Sequence, residues 1–270
     1  MGSIDHRTRV AKSKRDATRH KLLDAAMSLF SDHVGPTPVI DDVVREANVS
    51  RGTFYNYFDS VDEVLAAVGQ TLSDQMTADI LPMYDTLREP WQRLSVGFRF
   101  FMVRALLDRK WAGFVTRVTA WQHDTLVARY LRSDLEQGRE RGQFSFGRLD
   151  VATDFIIGAT AYSIQTIRDG VAEPNAYMDA QVGMALACVG CDRDTRDRAV
   201  AFSLSHLQRW ATSELSAGTP TWASNLASHE GQRFLAHALP RVESLVNSEP
   251  KPSASTSPQD HHSPRKAGDG

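Results

Sequence analysis

Residues 39–58 read VIDDVVREANVSRGTFYNYF, and the reading of this stretch decides the fold. Ile40, Val43, Val44 and Ala47 recur at helical spacing and form one apolar stripe. With Thr37 as a cap and Pro38 at the first position, where a missing N–H costs nothing, they predict a short helix over Pro38 to Ala47. Asn48 comes next, a residue that tolerates the left-handed backbone a tight turn needs. Ser50 then caps a second short helix, from Arg51 to about Phe58. Phe54 and Phe58 are four apart and share its inner face. This is the architecture of a helix-turn-helix. Such a pair is too small to fold alone, so a preceding helix must cover its apolar side. The stretch from Asp16 to about Ser31 supplies one, with Leu22, Ala25, Ala26, Leu29 and Phe30 in its stripe; Gly35-Pro36 then breaks the chain.

The outward side of the second helix carries Arg51, Gly52, Thr53, Tyr55, Asn56 and Tyr57. In a helix-turn-helix this helix enters the major groove of DNA and sets its N-terminal residues against base edges. Arg can donate two hydrogen bonds to guanine, and Asn can pair with adenine in the same way. Thr and Tyr hydroxyls suit phosphates. Gly52 removes a side chain where the helix must come close, and Ser50 sits at the positive end of the helix, which favours a phosphate. Tyr55 and Tyr57 cannot both face inward on a helix already using Phe54 and Phe58, so at least one is expected at the surface.

Working outward, the 270-residue chain is helical throughout by pattern, with no cleanly alternating stretch. Ser60 and Glu63 form a capping box that starts a fourth helix. Further helices are expected near 61–80, 90–108, 110–121, 124–140, 149–170, 176–189 and 194–215, punctuated by Pro82, Pro90, Gly142, Gly147, Gly170 and Pro174. The pattern weakens after Ala217, with one more helix possible around 230–246. From Ser248 the chain is rich in Pro, Ser and charge, without apolar periodicity, and reads as disordered. The formal net charge is −2, with 41% hydrophobic and 24% charged residues, which excludes a wholly basic nucleic-acid coat. The balance hides an asymmetry. Residues 1–21 hold seven Lys/Arg against Asp5 and Asp16, a net of +5, whereas everything after residue 58 carries a net −4. A basic end on a mildly acidic body suggests one surface that meets a polyanion. No run of apolar residues is long enough to span a membrane, the start is neither a secretory leader nor a myristoylation signal, and two cysteines make no disulfide framework. A cytoplasmic location is expected.

Residues 16–68 resemble the N-terminal domain of the tetracycline-repressor (TetR) family of bacterial transcription regulators. The stretches that carry the likeness are TRHKLLDAAMSLF and IDDVVREANVSRGTFYNYFDSVDEVLAAV. Val49, Ser50, Gly52, Thr53, Phe54, Tyr55, Tyr57 and Phe58 fit the family's recognition-helix pattern. Three positions depart from it. Pro38 stands where a capping Thr or Ser touches phosphate, so Thr37 is expected to serve instead. Asn48 replaces a turn glycine. Val61 replaces a common Lys, which puts one phosphate contact in doubt; the basic N-terminal segment can compensate by following the minor groove or the backbone.

The resemblance implies an all-α protein, with an N-terminal three-helix helix-turn-helix domain and a larger helical ligand-binding and dimerisation domain. The expected divisions are a basic flexible extension (1–15), the DNA-binding domain (16–60), the effector-binding and dimerisation domain (61–217), a C-terminal helical extension (218–247) and a disordered tail (248–270). It further implies a transcription regulator, a repressor by expectation, that binds a palindromic double-stranded DNA operator as a homodimer. A small, largely apolar effector would release it. Thr37, Ser50, Arg51, Gly52, Thr53, Tyr55, Asn56 and Tyr57 are the expected DNA contacts. Phe98, Phe101, Met102, Arg104, Trp111, Phe114, Arg117 and Trp121 are the candidate effector contacts, although the same aromatic density also builds an ordinary helical core. Arg99 and His123 are further polar candidates. The helices near 149–170 and 176–189, apolar and rich in small residues, are the expected dimer face.

No cofactor, metal site or enzymatic activity is expected. Cys188 and Cys191 form a C-x-x-C without a second ligand pair and read as two buried thiols near a helix end. There is no Gly-rich phosphate loop, G-x-S-x-G or H-E-x-x-H. An architectural or ligand-independent DNA-binding protein is the open alternative.

Overall fold

The register of the first helix sets the whole N-terminal domain. In the computed structural model, which describes residues 2–32, 37–84, 86–117, 126–215 and 221–236, the chain forms helix α1 (Gly2–Asp32) without a break. Its start lies far ahead of the expected Asp16. Residues 3–32 contain no Gly or Pro and are rich in Ala, Arg and Lys, all strong helix formers, so the segment expected to be a flexible extension joins the helix. Then follow α2 (Ile40–Glu46), α3 (Arg51–Tyr55), α4 (Val61–Tyr84), α5 (Pro90–Leu107), α6 (Arg109–Arg117), α7 (Leu126–Glu140), α8 (Leu149–Asp169), α9 (Pro174–Cys188) and α10 (Arg193–Ala211). A 3-10 turn (Thr221–Asn225) and α11 (His229–Leu235) complete the described residues, among which there is no strand.

The starts and stops follow local chemistry. Pro90 and Pro174 occupy first-turn positions, where no N–H is needed. The Ser60 hydroxyl accepts from Glu63 N at 3.1 Å, and Asp192 accepts from Thr195 N at 2.9 Å. Pro82 does not end α4, which continues to Tyr84; so close to the helix end it removes a single bond of the ladder.

The body is organised around α5. Every residue from Phe98 to Leu107 is buried, and α5 packs against α6, α7, α8, α9, α10 and α11. Buried polar ties fix its neighbours. Arg93 Nε meets Asp134 at 2.5 Å, joining α5 to α7. Arg99 donates to Ser203 Oγ at 2.9 Å and to Asp179 at 2.5 Å, tying α5 to α10 and α9. The segment after Ala217, where the sequence pattern weakens, belongs to this core. Trp222 and Phe234 are buried, and Trp222 packs edge-on against Phe100, Trp210 and Phe234. The remainder of the expected 230–246 helix and the 248–270 tail lie outside the described residues.

The N-terminal domain docks on the body through α1 and α6. Gly113 approaches the Ser31 carbonyl so closely that a Cβ there would stand 2.4 Å from the oxygen. The Ser31 hydroxyl lies 2.6 Å from the Lys110 carbonyl, and Arg168 of α8 donates to the Ser31 carbonyl at 2.9 Å. Three helices therefore meet at one residue. Helix α8 has apolar groups on both sides. Ile156, Ile164 and Ile167 face the core, while Val151, Phe155 and Tyr162, spaced four and seven apart, share the opposite face and are exposed, Tyr162 by 73%. On neighbouring α9, Met184 is also exposed.

Candidate nucleic-acid interface

Helix α3 is held from behind by two rings. Phe54 and Phe58 are buried with centroids 6.1 Å apart, in a core shared with Leu22, Ala26, Val43 and Ala47. The turn before it needs Asn48 in the left-handed region, at φ 51°, as its identity predicts. Ser50 is the N-cap: its hydroxyl accepts from Thr53 N at 3.0 Å and shares a 2.7 Å bond with the Thr53 hydroxyl. The helix is shorter than the sequence pattern suggests. It ends at Tyr55, and Asn56 and Tyr57 form the turn that leads to α4.

With the rings turned inward, Arg51, Gly52, Tyr55 and Asn56 are presented to solvent; Tyr55 is 47% exposed. Tyr57 and Thr53 are half-buried. Arg51 forms an exposed ion pair with Asp41 of α2, Nη1 to Oδ1 at 3.0 Å, and its guanidinium lies 5.9 Å from the Tyr55 ring centre. Tyr55 first, then Asp41, favour the charged guanidinium. Both groups are exposed and water screens such a surface pair, so Arg51 can be drawn away by a stronger acceptor. Gly52 has no internal reason to be glycine, because a Cβ there would meet only Ser50 Oγ, at 3.9 Å.

Thr37 does not cap α2. It is exposed and lies two residues ahead of the N-cap, which is Val39, and Pro38 between them is buried. Valine has no side-chain acceptor. The cap is made in reverse, with the Val39 N–H donating to the Asp42 carboxylate at 3.0 Å. Sequence reasoning also missed two cations beside the recognition element. Arg15 lies 5.9 Å over the Tyr57 ring and Arg19 lies 5.6 Å over Phe58, both from α1. Their helical phase with Leu22 and Ala26 was the available signal.

The candidate effector residues fall in the body's core. Phe98, Phe101, Met102, Arg104, Trp111 and Phe114 are all buried. Arg117 lies in α6, and Trp121 and His123 are outside the described residues. Phe101 stacks on Trp111 at 6.5 Å, and the Arg104 guanidinium stands 5.0 Å over the same indole while meeting Asp79 at 3.2 Å. Burial lowers the Arg104 pKa. Arg104 Nε and Trp111 Nε1 are buried donors with no hydrogen-bond partner. Arg99 serves the α5–α9–α10 tie. The C-x-x-C differs from the expected two buried thiols: Cys191 is buried, which pushes its thiol up to about 11, but Cys188 is exposed at the end of α9.

Residues 22–68 match the model of the bacterial regulatory proteins, tetR family. The chain is 34% identical over 76 residues to the HTH-type transcriptional regulator HbdR of Aromatoleum sp., covering 28% of this chain and 33% of that protein. It is 32% identical over 71 residues to the HTH-type transcriptional repressor LfrR of Mycolicibacterium smegmatis, covering 26% and 36%. Over 80 residues it is 33% identical to the HTH-type transcriptional regulator TtgW of Pseudomonas putida, covering 30% and 59%. The matched chain thus spans between one third and three fifths of these relatives' own length. Among solved structures, that of RolR in complex with resorcinol covers 71% of this chain and 95% of its own, at 27% identity and a TM-score of 0.51.

Proposed function

We propose, from the match of residues 22–68 to the tetR family of bacterial regulatory proteins, that the protein is a homodimeric transcriptional repressor released from a palindromic operator by a small effector. The observation that carries this reading is the α3 surface: Arg51, Gly52, Tyr55 and Asn56 face solvent while Phe54 and Phe58 anchor the helix from the other side. Arg51 and Asn56 supply the donors that read guanine and adenine. Ser50 and Thr53 lie at the start of the helix, and Thr37 just ahead of α2, where phosphates of the groove wall pass. Tyr57, half-buried, orients the turn.

The apolar outer face of α8, with Met184 of α9 beside it, supports a two-fold four-helix bundle between protomers. Such a dimer holds two recognition helices about 34–36 Å apart, one turn of DNA. For the effector site, Arg104 Nε and Trp111 Nε1 are unpartnered donors in an aromatic setting, suited to a small ligand with an acceptor oxygen on an apolar frame. Resorcinol, bound by the structurally similar RolR, is a molecule of that type. Ligand would act on operator affinity through α4 and the α1–α6 junction. A coupling of about 1–3 kcal/mol changes that affinity roughly 5- to 150-fold.

Selection of bound duplexes from a random pool tests the reading. A near-palindrome with half-sites one helical turn apart is expected, and a pool that stays unenriched refutes it. A screen of small phenols by thermal shift separates a ligand-controlled regulator, whose melting temperature rises, from a ligand-independent DNA-binding protein.

A further inference from the structure

Leu22, Ala26 and Phe30 lie on one buried face of α1, which packs on α2 and α4. Toward the N-terminus, at intervals of three and four residues, the same face carries Arg19, Arg15 and Lys12. The stripe changes from apolar to cationic where α1 leaves the domain core. Two contacts tie this cationic half to the recognition element, Arg19 over Phe58 and Arg15 over Tyr57, and Lys12 stands one turn further out. All three side chains are exposed. The two contacts set Arg15 and Arg19 beside the turn that follows α3.

We infer that the Lys12–Arg15–Arg19 stripe grips the phosphate backbone of the duplex beyond the segment that α3 reads, so that each protomer covers more DNA than its helix-turn-helix alone. This rests on the DNA-binding reading above. Of the two courses expected for the basic segment, the minor groove and the backbone, it takes the backbone. A helix about 10–12 Å across does not enter a groove about 6 Å wide, so a helical extension meets the backbone from outside. Contacts of this kind carry no base information; they add sequence-independent, salt-sensitive affinity.

The experiment compares the wild-type chain with K12Q/R15Q, and with K14Q/K21Q, which removes the same charge from the opposite face of α1. Each is titrated on a duplex carrying the selected site with long flanks and on one trimmed at the half-sites, between about 50 and 200 mM salt. Removing two phosphate-binding cations from each protomer, four from the dimer, makes the salt exponent smaller by about 3.6, so over this range the wild type should lose roughly a hundredfold more affinity than K12Q/R15Q. K14Q/K21Q should keep the wild-type exponent, and trimming the flanks should erase the difference between wild type and K12Q/R15Q. All three proteins should melt alike, since the four substituted side chains are exposed. A K12Q/R15Q variant with the wild-type exponent, or a K14Q/K21Q variant whose exponent falls as far, overturns the inference while leaving the α3 reading intact. A wild type that binds no duplex overturns both.

Discussion

Replacing Gly52 by alanine should leave the protein at least as stable and weaken its hold on DNA. The added methyl group would have only Ser50 Oγ within 4 Å, at 3.9 Å, an ordinary van der Waals contact. Gly52 is not among the positive-φ residues, so alanine fits the backbone without strain. In a helix interior alanine is favoured over glycine by about 0.5–1 kcal/mol, and in the first turn of α3 the lower end applies. The melting temperature should hold, or rise by no more than about 4 °C. Bound to DNA, the same methyl would stand between the helix and the groove and push Arg51 and Asn56 away from their base edges. Each bidentate base contact is worth about 1–3 kcal/mol, so the loss of one per half-site lowers affinity roughly 5- to 150-fold for each half. Anisotropy titrations of the selected duplex at fixed salt, run beside calorimetric melts, read both quantities. Wild-type affinity in the folded variant would show that α3 does not approach DNA at this position, and a clear loss of stability would show that the site is not open to solvent.

Arg51→Ala and Tyr55→Ala should each weaken binding by about 1–3 kcal/mol with no change in the unfolding curve, because both side chains are exposed; unfolding at lower denaturant would count against their role as readers. Phe155→Glu, on the exposed face of α8, should convert the dimer to monomer in sedimentation and abolish tight operator binding, and a variant that stays dimeric refutes the assigned face. Gly113→Ala places a Cβ 2.4 Å from the Ser31 carbonyl oxygen and should destabilise the fold by about 1–3 kcal/mol in thermal melts; an unchanged melting temperature would mean that the α1–α6 approach is looser than described. Burial lowers the His206 pKa to about 4 from 6.5, with the Arg209 charge adding to the effect, while the ring stacks on Phe202. The unfolded chain therefore binds the extra proton first, and stability should fall by roughly 1–3 kcal/mol as pH drops from about 6.5 to 4. His206→Leu should flatten that part of a urea-denaturation profile, and parallel profiles would refute the assignment.

The helix-turn-helix was readable because every local choice agreed: Asn48 at the turn, Ser50 at the cap, Phe54 and Phe58 on one face. What escaped did so for separate physical reasons. Thr37-Pro38 is a sound start signal, but the helix starts two residues on, at Ile40, behind a valine N-cap whose N–H donates to the Asp42 carboxylate. A basic stretch reads as a tail until its phase with Leu22 and Ala26 is considered. The aromatics of α5 and α6 are ambiguous by composition, since a helix buried on all sides and a helix lining a pocket use the same residues. Trp222 and Phe234 were invisible as core because they reach it from short pieces with no periodicity of their own.

The unbroken course of α1 makes it a lever. One end bears on α6 and α8 at Ser31, and the middle carries the cations beside the turn after α3. At about 1.5 Å per residue Lys12 lies roughly 28 Å from Ser31, so a pivot of about 5° at that fulcrum sweeps it by about 2.5 Å, most of the rise of one base pair. If a ligand adjusts α6 as proposed, a movement too slight to disturb the body's packing would reach the phosphates on the scale of the duplex itself.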